Sequence, residues 1–158
     1  MHPRTEEFRT RAADRYGFEV KPHEFPEGTK TAEDAAEAVG CEVGAIASAI
    51  AVEADGELVV CVTSGANRVS MAEVAALQGV AADATGMADP DEVADRLGWS
   101  IGGVPPFCHD SEVPVYVDET LTGHDEVWAA AGTPQAVFPI APDRLVELSG
   151  GTVAAFAE

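Results

Sequence analysis

Gly102-Gly103-Val104-Pro105-Pro106-Phe107, followed by Pro114-Val115-Tyr116-Val117-Asp118, is the stretch with the clearest chemical potential. Two adjacent glycines let the backbone turn through positive φ and approach a ligand with no Cβ in the way. The prolines behind them fix φ and stiffen the exit of the loop. A rigid turn of this kind suits main-chain N–H groups aimed at a carbonyl or an oxyanion. Cys108-His109-Asp110 suggests a nucleophile or a metal ligand, but a zinc site needs further ligands, and His2, His23 and His124 lack the spacing to supply them. Adjacent Cys and His side chains point apart on an extended chain, so the imidazole is badly placed to activate the thiol. Asp118-Glu119 at a strand end could pair an acid with a base but fits a strand-ending turn better, and Asn67-Arg68 reads as loop chemistry in which Arg68 could contact a phosphate. Phosphate-loop, dinucleotide and zincin motifs are absent, so neither metal nor cofactor is expected.

The elements that must hold this turn alternate irregularly. Thr5 to Tyr16 has the spacing of an amphipathic helix ended by Gly17, and Phe18 to Phe25 an extended segment stopped by Pro26. Thr31 with Asp34 resembles a capping box for a helix through Val39. Ile46 to Val52 and Leu58 to Thr63 flank Ala54-Asp55-Gly56, the strongest hairpin signal in the chain. Helices are predicted from Met71 to Leu77 after the Ser70 cap, from Pro90 to Leu97 and from Pro142 to Leu148. Strands are expected at Val113 to Val117, Glu126 to Ala130 and Ala136 to Ile140, and Thr152 to Phe156 reads as a last strand or a tail. Hairpins mixed with crossover helices predict an α/β fold: a mixed, partly barrel-like β-sheet surrounded by helices. No linker or repeat interrupts residues 1–158, which are expected to form a single domain.

Composition sets the outer bounds. Hydrophobic residues make up 46% of the chain, enough for a sizeable core. Against 28 Asp+Glu stand 9 Lys+Arg, a formal charge of −19 spread along the whole length, with Lys21 and Lys30 the only lysines. An acidic coat of this kind suits a halophilic protein that must stay hydrated in concentrated salt; selection of a cationic partner is the alternative. At low salt such a charge opposes nucleic acid binding, but at molar salt the Debye length falls to about 3 Å and the repulsion is largely screened. Cys41, Cys61 and Cys108 are odd in number and far apart, which points to a reducing, cytoplasmic setting. The N-terminus lacks a signal-peptide core and no apolar run is long enough to span a bilayer, so no membrane partner is expected.

From about Phe18 to Leu148 the ordered landmarks resemble the YbaK/EbsC-type family, the prolyl-tRNA-synthetase-associated editing domains. They are His23-Glu24-Phe25, Thr31 to Gly40, the hairpin at Asp55-Gly56, Ser70 to Gly79, Gly98 to Phe107, Pro114 to Glu119 and Ala141 to Leu145. The resemblance implies a trans-acting deacylase that hydrolyses the ester of a mischarged aminoacyl-tRNA, such as Cys- or Ala-tRNA(Pro). Its partners would be the aminoacylated 3′ end of tRNA and a synthetase, with no DNA, no metal and no covalent nucleophile. Gly102 and Gly103 would then hold the ester carbonyl. Phe25, Ser48 and Val137 would line the amino-acid pocket, with Pro106 beside them and Arg68 or His109 toward the tRNA. Three positions depart from the family pattern: Ser48 stands where a lysine is usual, Phe25 where some members have tyrosine, and Val137 where others have aspartate. Such a chain could edit a more apolar aminoacyl group, could bind without hydrolysis, or could use another group in place of the lysine. A thiol- or metal-dependent enzyme built on Cys108 and His109 is a further alternative.

Overall fold

The computed structural model describes residues 2–25 and 31–158; Pro26 and Lys30, named above, lie outside the described residues. Each helix begins and ends where local chemistry dictates. Helix α1 (Pro3–Tyr16) has proline in its first turn and ends at Gly17 in the left-handed conformation. Helix α2 (Ala32–Val39) is capped by the Thr31 hydroxyl, which accepts the Asp34 N–H at 3.0 Å. Helices α3 (Met71–Gln78), α4 (Pro90–Leu97) and α5 (Pro142–Ser149) follow the same grammar, each closed by a left-handed glycine.

Among the described residues, eight strands form one mixed sheet. They are β1 (His23–Glu24), β2 (Ile46–Ala54), β3 (Glu57–Ser64), β4 (Thr85–Met87), β5 (Val115–Asp118), β6 (Val127–Ala130), β7 (Ala136–Ile140) and β8 (Thr152–Ala154). The order is β1-β7-β6-β2-β3-β5-β8, with β4 also paired to β2. The mixed sheet and its flanking helices agree with the fold expected from the sequence. The hairpin falls at Asp55-Gly56, both at positive φ (52° and 84°), the geometry of a two-residue I′ turn. Strand β4 was not anticipated: Thr85-Gly86-Met87 has no alternation of its own and is a strand because β2 offers it an edge.

The main core lies between α1, α4, α5 and one face of the sheet. Its centre is aromatic. Phe8 of α1 meets Phe138 of β7 at 5.1 Å and Phe107 at 5.5 Å between ring centroids, and stands edge-on to Trp99 at 6.1 Å. Tyr16 and Phe18 close on Phe107 from the end of α1. Each ring adds about 0.5–1.5 kcal/mol per aromatic contact beyond its burial. A smaller core packs α3 and Phe156 on the opposite face, and a third joins Ala35 and Ala36 of α2 to Ile46.

Phe8 is fully buried at the hub of these rings. Phe8→Ala is expected to cost about 3–5 kcal/mol, measured as the shift in the denaturant-unfolding midpoint at constant slope.

Candidate active site

Strand β2 pairs with β3 along its whole length. Its other edge is divided: β6 runs parallel to it at Ile46 and Ala47, and β4 runs antiparallel at Val52 to Ala54. Among the described residues, Ser48 to Ala51 have no strand beside them on that edge. A recess of about 330 Å³ occupies the gap. Ser48, Ala49 and Ile50 form one wall, Trp128 and Ala130 of β6 with Val137 of β7 another, and Thr31 with Ala35 of α2 a third. Met87, Ile101 and Gly102 stand around the rest of it, and Met87 (62% exposed) and Ile101 (49%) carry much of their apolar surface into solvent. The described wall contains no Asp, Glu, His, Lys or Arg side chain; its polar side chains are the hydroxyls of Thr31 and Ser48 and the Trp128 indole.

Gly102 reaches the recess through a tight turn. The Gly103 N–H donates to the Ser100 carbonyl at 3.0 Å, and Gly102 has φ +90°, as position i+2 of a type II turn requires. The two glycines are therefore glycine for different reasons. Gly102 needs its positive φ at the recess. Gly103 is buried against the backbone of Thr133, where a Cβ would lie 2.7 Å from the Thr133 Cα. With its N–H already donated, Gly103 supports the turn while Gly102 faces the ligand space.

The turn is held by its flanks. Trp99 donates its indole N–H to the Cys108 carbonyl at 2.9 Å, and Cys108 has the left-handed φ of +67°. Arginines of α1 grip the same loop: Arg4 lies over the Trp99 ring at 4.2 Å and donates to the Gly98 carbonyl, Arg11 pairs with Asp110 at 2.7 Å, and Arg15 donates to the His109 carbonyl at 3.3 Å. Exposed ion pairs contribute about 0–1 kcal/mol each, so the aromatic contacts carry more of the positioning than the charges do.

Ser48, Gly102 and Val137 are brought together around the recess. Phe25 is half-buried and donates its N–H to the Gln135 carbonyl at 2.7 Å, prolonging the β1–β7 pairing beside the wall without lining it. Pro106 is buried between the turn and Phe107. Arg68 is exposed in the loop before α3, where its carbonyl accepts the Glu158 N–H at 2.9 Å. His109 lines a separate recess of about 440 Å³ with Arg15, Asp110 and Glu147. Its Nε2 lies 2.8 Å from the Pro105 carbonyl and must carry the proton there, since a carbonyl can only accept. Sequence reasoning missed Ala49, Met87, Ile101 and Trp128, which converge only through the sheet order. The alternating small residues of Ile46-Ala47-Ser48-Ala49-Ile50-Ala51 were the available signal for a strand that leaves room at its edge.

The Cys108–His109 pair is poorly suited to catalysis. Burial pushes the Cys108 thiol up to about 11, against the lowering effect of Arg15 and Arg11, and burial pushes His109 below the ordinary 6.5. A protonated thiol beside a neutral imidazole held by a backbone carbonyl is structural chemistry. Among the described residues no three His, Cys, Asp or Glu side chains cluster as metal ligands.

Three outcomes follow from this geometry. Gly102→Ala should cost about 1–2 kcal/mol for the left-handed backbone and should fold; Gly103→Ala, forced against Thr133, should lower the melting temperature further. A thiol reagent at pH 8 should modify Cys41 in the native protein, but Cys61 and Cys108 only after unfolding, because both are buried and burial raises them to about 12 and 11. His109 favours its neutral form when folded, so its contribution is present above pH about 6.5 and is lost as pH falls through the lowered folded value. The stability difference between wild type and His109→Gln should therefore shrink toward pH 5, as urea titrations at several pH values would record.

Comparison with known proteins fits this geometry. The profile of the aminoacyl-tRNA editing domain matches residues 26–148. The uncharacterized protein YwhH of Bacillus subtilis (strain 168) is 32% identical over 129 residues, 80% of this chain and 79% of that protein. A crystal structure provisionally described as a trans-editing enzyme for prolyl-tRNA synthetase superposes with a TM-score of 0.93 at 37% identity, covering 100% of this chain and 99% of that one. The structure of the hypothetical protein APE2540 gives 0.83 at 25% identity, covering 98% and 99%. With a recess at the split edge of β2, a glycine turn at its rim and a profile match over most of its length, the chain belongs to the aminoacyl-tRNA editing domain family.

Proposed function

We propose that residues 1–158 act as a single trans-editing domain that hydrolyses the ester bond of a mischarged aminoacyl-tRNA. The observation that carries this reading is the convergence of Gly102, Ser48 and Val137 on one recess lined by small apolar groups. In this reading the Gly102 N–H, at the rim of the recess, donates to the oxyanion formed when water adds to the ester carbonyl, an effect of about 3–4 kcal/mol for one well-placed donor. Collapse of that intermediate releases the free amino acid and restores the ribose hydroxyl of the tRNA. The described wall holds no titratable side chain, so proton transfer falls to water and to the neighbouring ribose hydroxyl of the substrate. Ala49, Val104 and Val137 favour a small apolar or thiol side chain, in keeping with Ala- or Cys-tRNA(Pro) and with a prolyl-tRNA synthetase as the source of the error. An apolar pocket separates substrates differing by one methylene by only about 1–3 kcal/mol, so exclusion of the correct amino acid must rest on shape at this wall.

A second reading is a binding module that retains the pocket without hydrolysis. It is favoured by Ser48, which supplies no charge where the family usually has lysine.

The deciding experiment is release of labelled amino acid from Ala-, Cys- and Ser-tRNA(Pro) at multimolar KCl. Turnover that falls by about 100-fold or more on disturbing the Gly102 turn is expected, from the usual effect of removing one oxyanion donor; no turnover on any of the three rejects the deacylase. Saturable binding without release, with Ser48→Lys restoring release, would establish the second reading. With a net charge of −19, the melting temperature should rise as KCl is raised from millimolar to molar, because screening relieves self-repulsion.

A further inference from the structure

The main chain of β2 itself forms part of the recess, and its orientation is set by the pairing on either side. The two-residue hairpin makes Ala54 and Glu57 a hydrogen-bonded pair, so the even-numbered residues of β2 direct their N–H and C=O groups toward β3. Gly65 N–H donating to the Ile46 carbonyl at 2.8 Å agrees with that register. The odd-numbered residues face the divided edge: Ala47 lies beside β6, Glu53 beside β4, and the Ala51 carbonyl accepts the Ala88 N–H at 3.2 Å. Ala49 lies between them. Its N–H and C=O point into the recess, where no described strand meets them.

The gap suits one amino acid and not a peptide. Four residues of strand span about 13 Å, and the gap is closed at one end by β6 and at the other by β4. An extended segment would collide with both. A single aminoacyl group can enter from the Gly102 rim, place its side chain against the apolar wall and direct its ammonium to the strand. Half-buried Ala49 has no described strand partner for its main chain on this edge, and among the described lining residues, which include no carboxylate, its carbonyl is an acceptor placed for that cation.

Building on the deacylase reading, we propose that the Ala49 carbonyl accepts the α-ammonium group of the aminoacyl moiety, making this edge the element that selects substrates with a free amino group. The ester carbonyl then lies toward Gly102, and N-acylated aminoacyl-tRNA is rejected because it has lost both charge and donors and adds bulk where β4 and β6 close the gap.

The test uses non-hydrolysable adenosine analogues carrying alanine, cysteine or serine in 3′-amide linkage, each paired with its desamino counterpart (propionyl for alanyl). Calorimetry on the full chain in molar KCl should find the amino form bound tighter by about tenfold or more, as expected for one charge-assisted hydrogen bond. Equal affinity within a pair overturns the inference and leaves the deacylase reading standing. If neither member of any pair binds, the recess is not an aminoacyl site and both readings fall. Native-state hydrogen exchange supplies an independent arm: the Ala49 amide should exchange much faster than those of Ser48 and Ile50, which pair with β3. Protection of Ala49 equal to its neighbours would show the edge to be closed and overturn the inference on its own.

Discussion

A parallel and an antiparallel neighbour cannot occupy the same edge of a strand without a break between them, and β2 has both. On one side β3 pairs with it from end to end; on the other β6 and β4 share it and leave Ser48 to Ala51 uncovered by any described strand. A gap in a sheet normally fills with side chains, because unfilled space forfeits dispersion contacts. Here the strand carries alanine at 47, 49 and 51 and serine at 48, so the space persists as a recess. The candidate site is a consequence of sheet topology combined with side chains too small to close it.

The remainder of the molecule places one turn against that gap. Phe8, Phe107 and Phe138 lock α1 and the loop after α4 to the sheet, and Trp99 ties the two ends of the loop together through the Cys108 carbonyl. Arginine side chains of α1 contribute geometry to the same loop more than stability, since their pairs are partly solvent-exposed. Cys108 in a left-handed conformation and Gly103 pressed on Thr133 show how tightly the backbone is folded there. This rigidity matters for the proposed chemistry, because a donor that need not reorganise stabilises developing charge better than a mobile one.

The strongly acidic chain has a candidate site whose described lining is free of charged side chains. The described walls of the recess carry no acid or base, and the buried Cys108–His109 pair lies in a different recess, where burial keeps thiol and imidazole neutral. Described walls of this kind suit the proposed recognition of a small acyl group by shape and main-chain hydrogen bonds. The same feature accounts for the interest of Ser48: a lysine there would add a fixed charge to described walls that carry none.

Local chemistry already determined much of this structure. Caps at Thr31, Ser70 and Asp89, glycines at 17, 40, 79 and 98, and the Asp55-Gly56 turn act over a few residues, and the helices and the hairpin fall where they place them. The family resemblance and the Gly102-Gly103 turn were legible for the same reason. Tertiary structure alone decided the rest. Strand β4 exists because β2 has a free edge, Gly102 and Gly103 part company because only one meets Thr133, and Ser48 and Val137 share a recess while His109 lines another. Such outcomes depend on which distant strands become neighbours, and long-range pairing leaves no mark in the spacing of nearby residues.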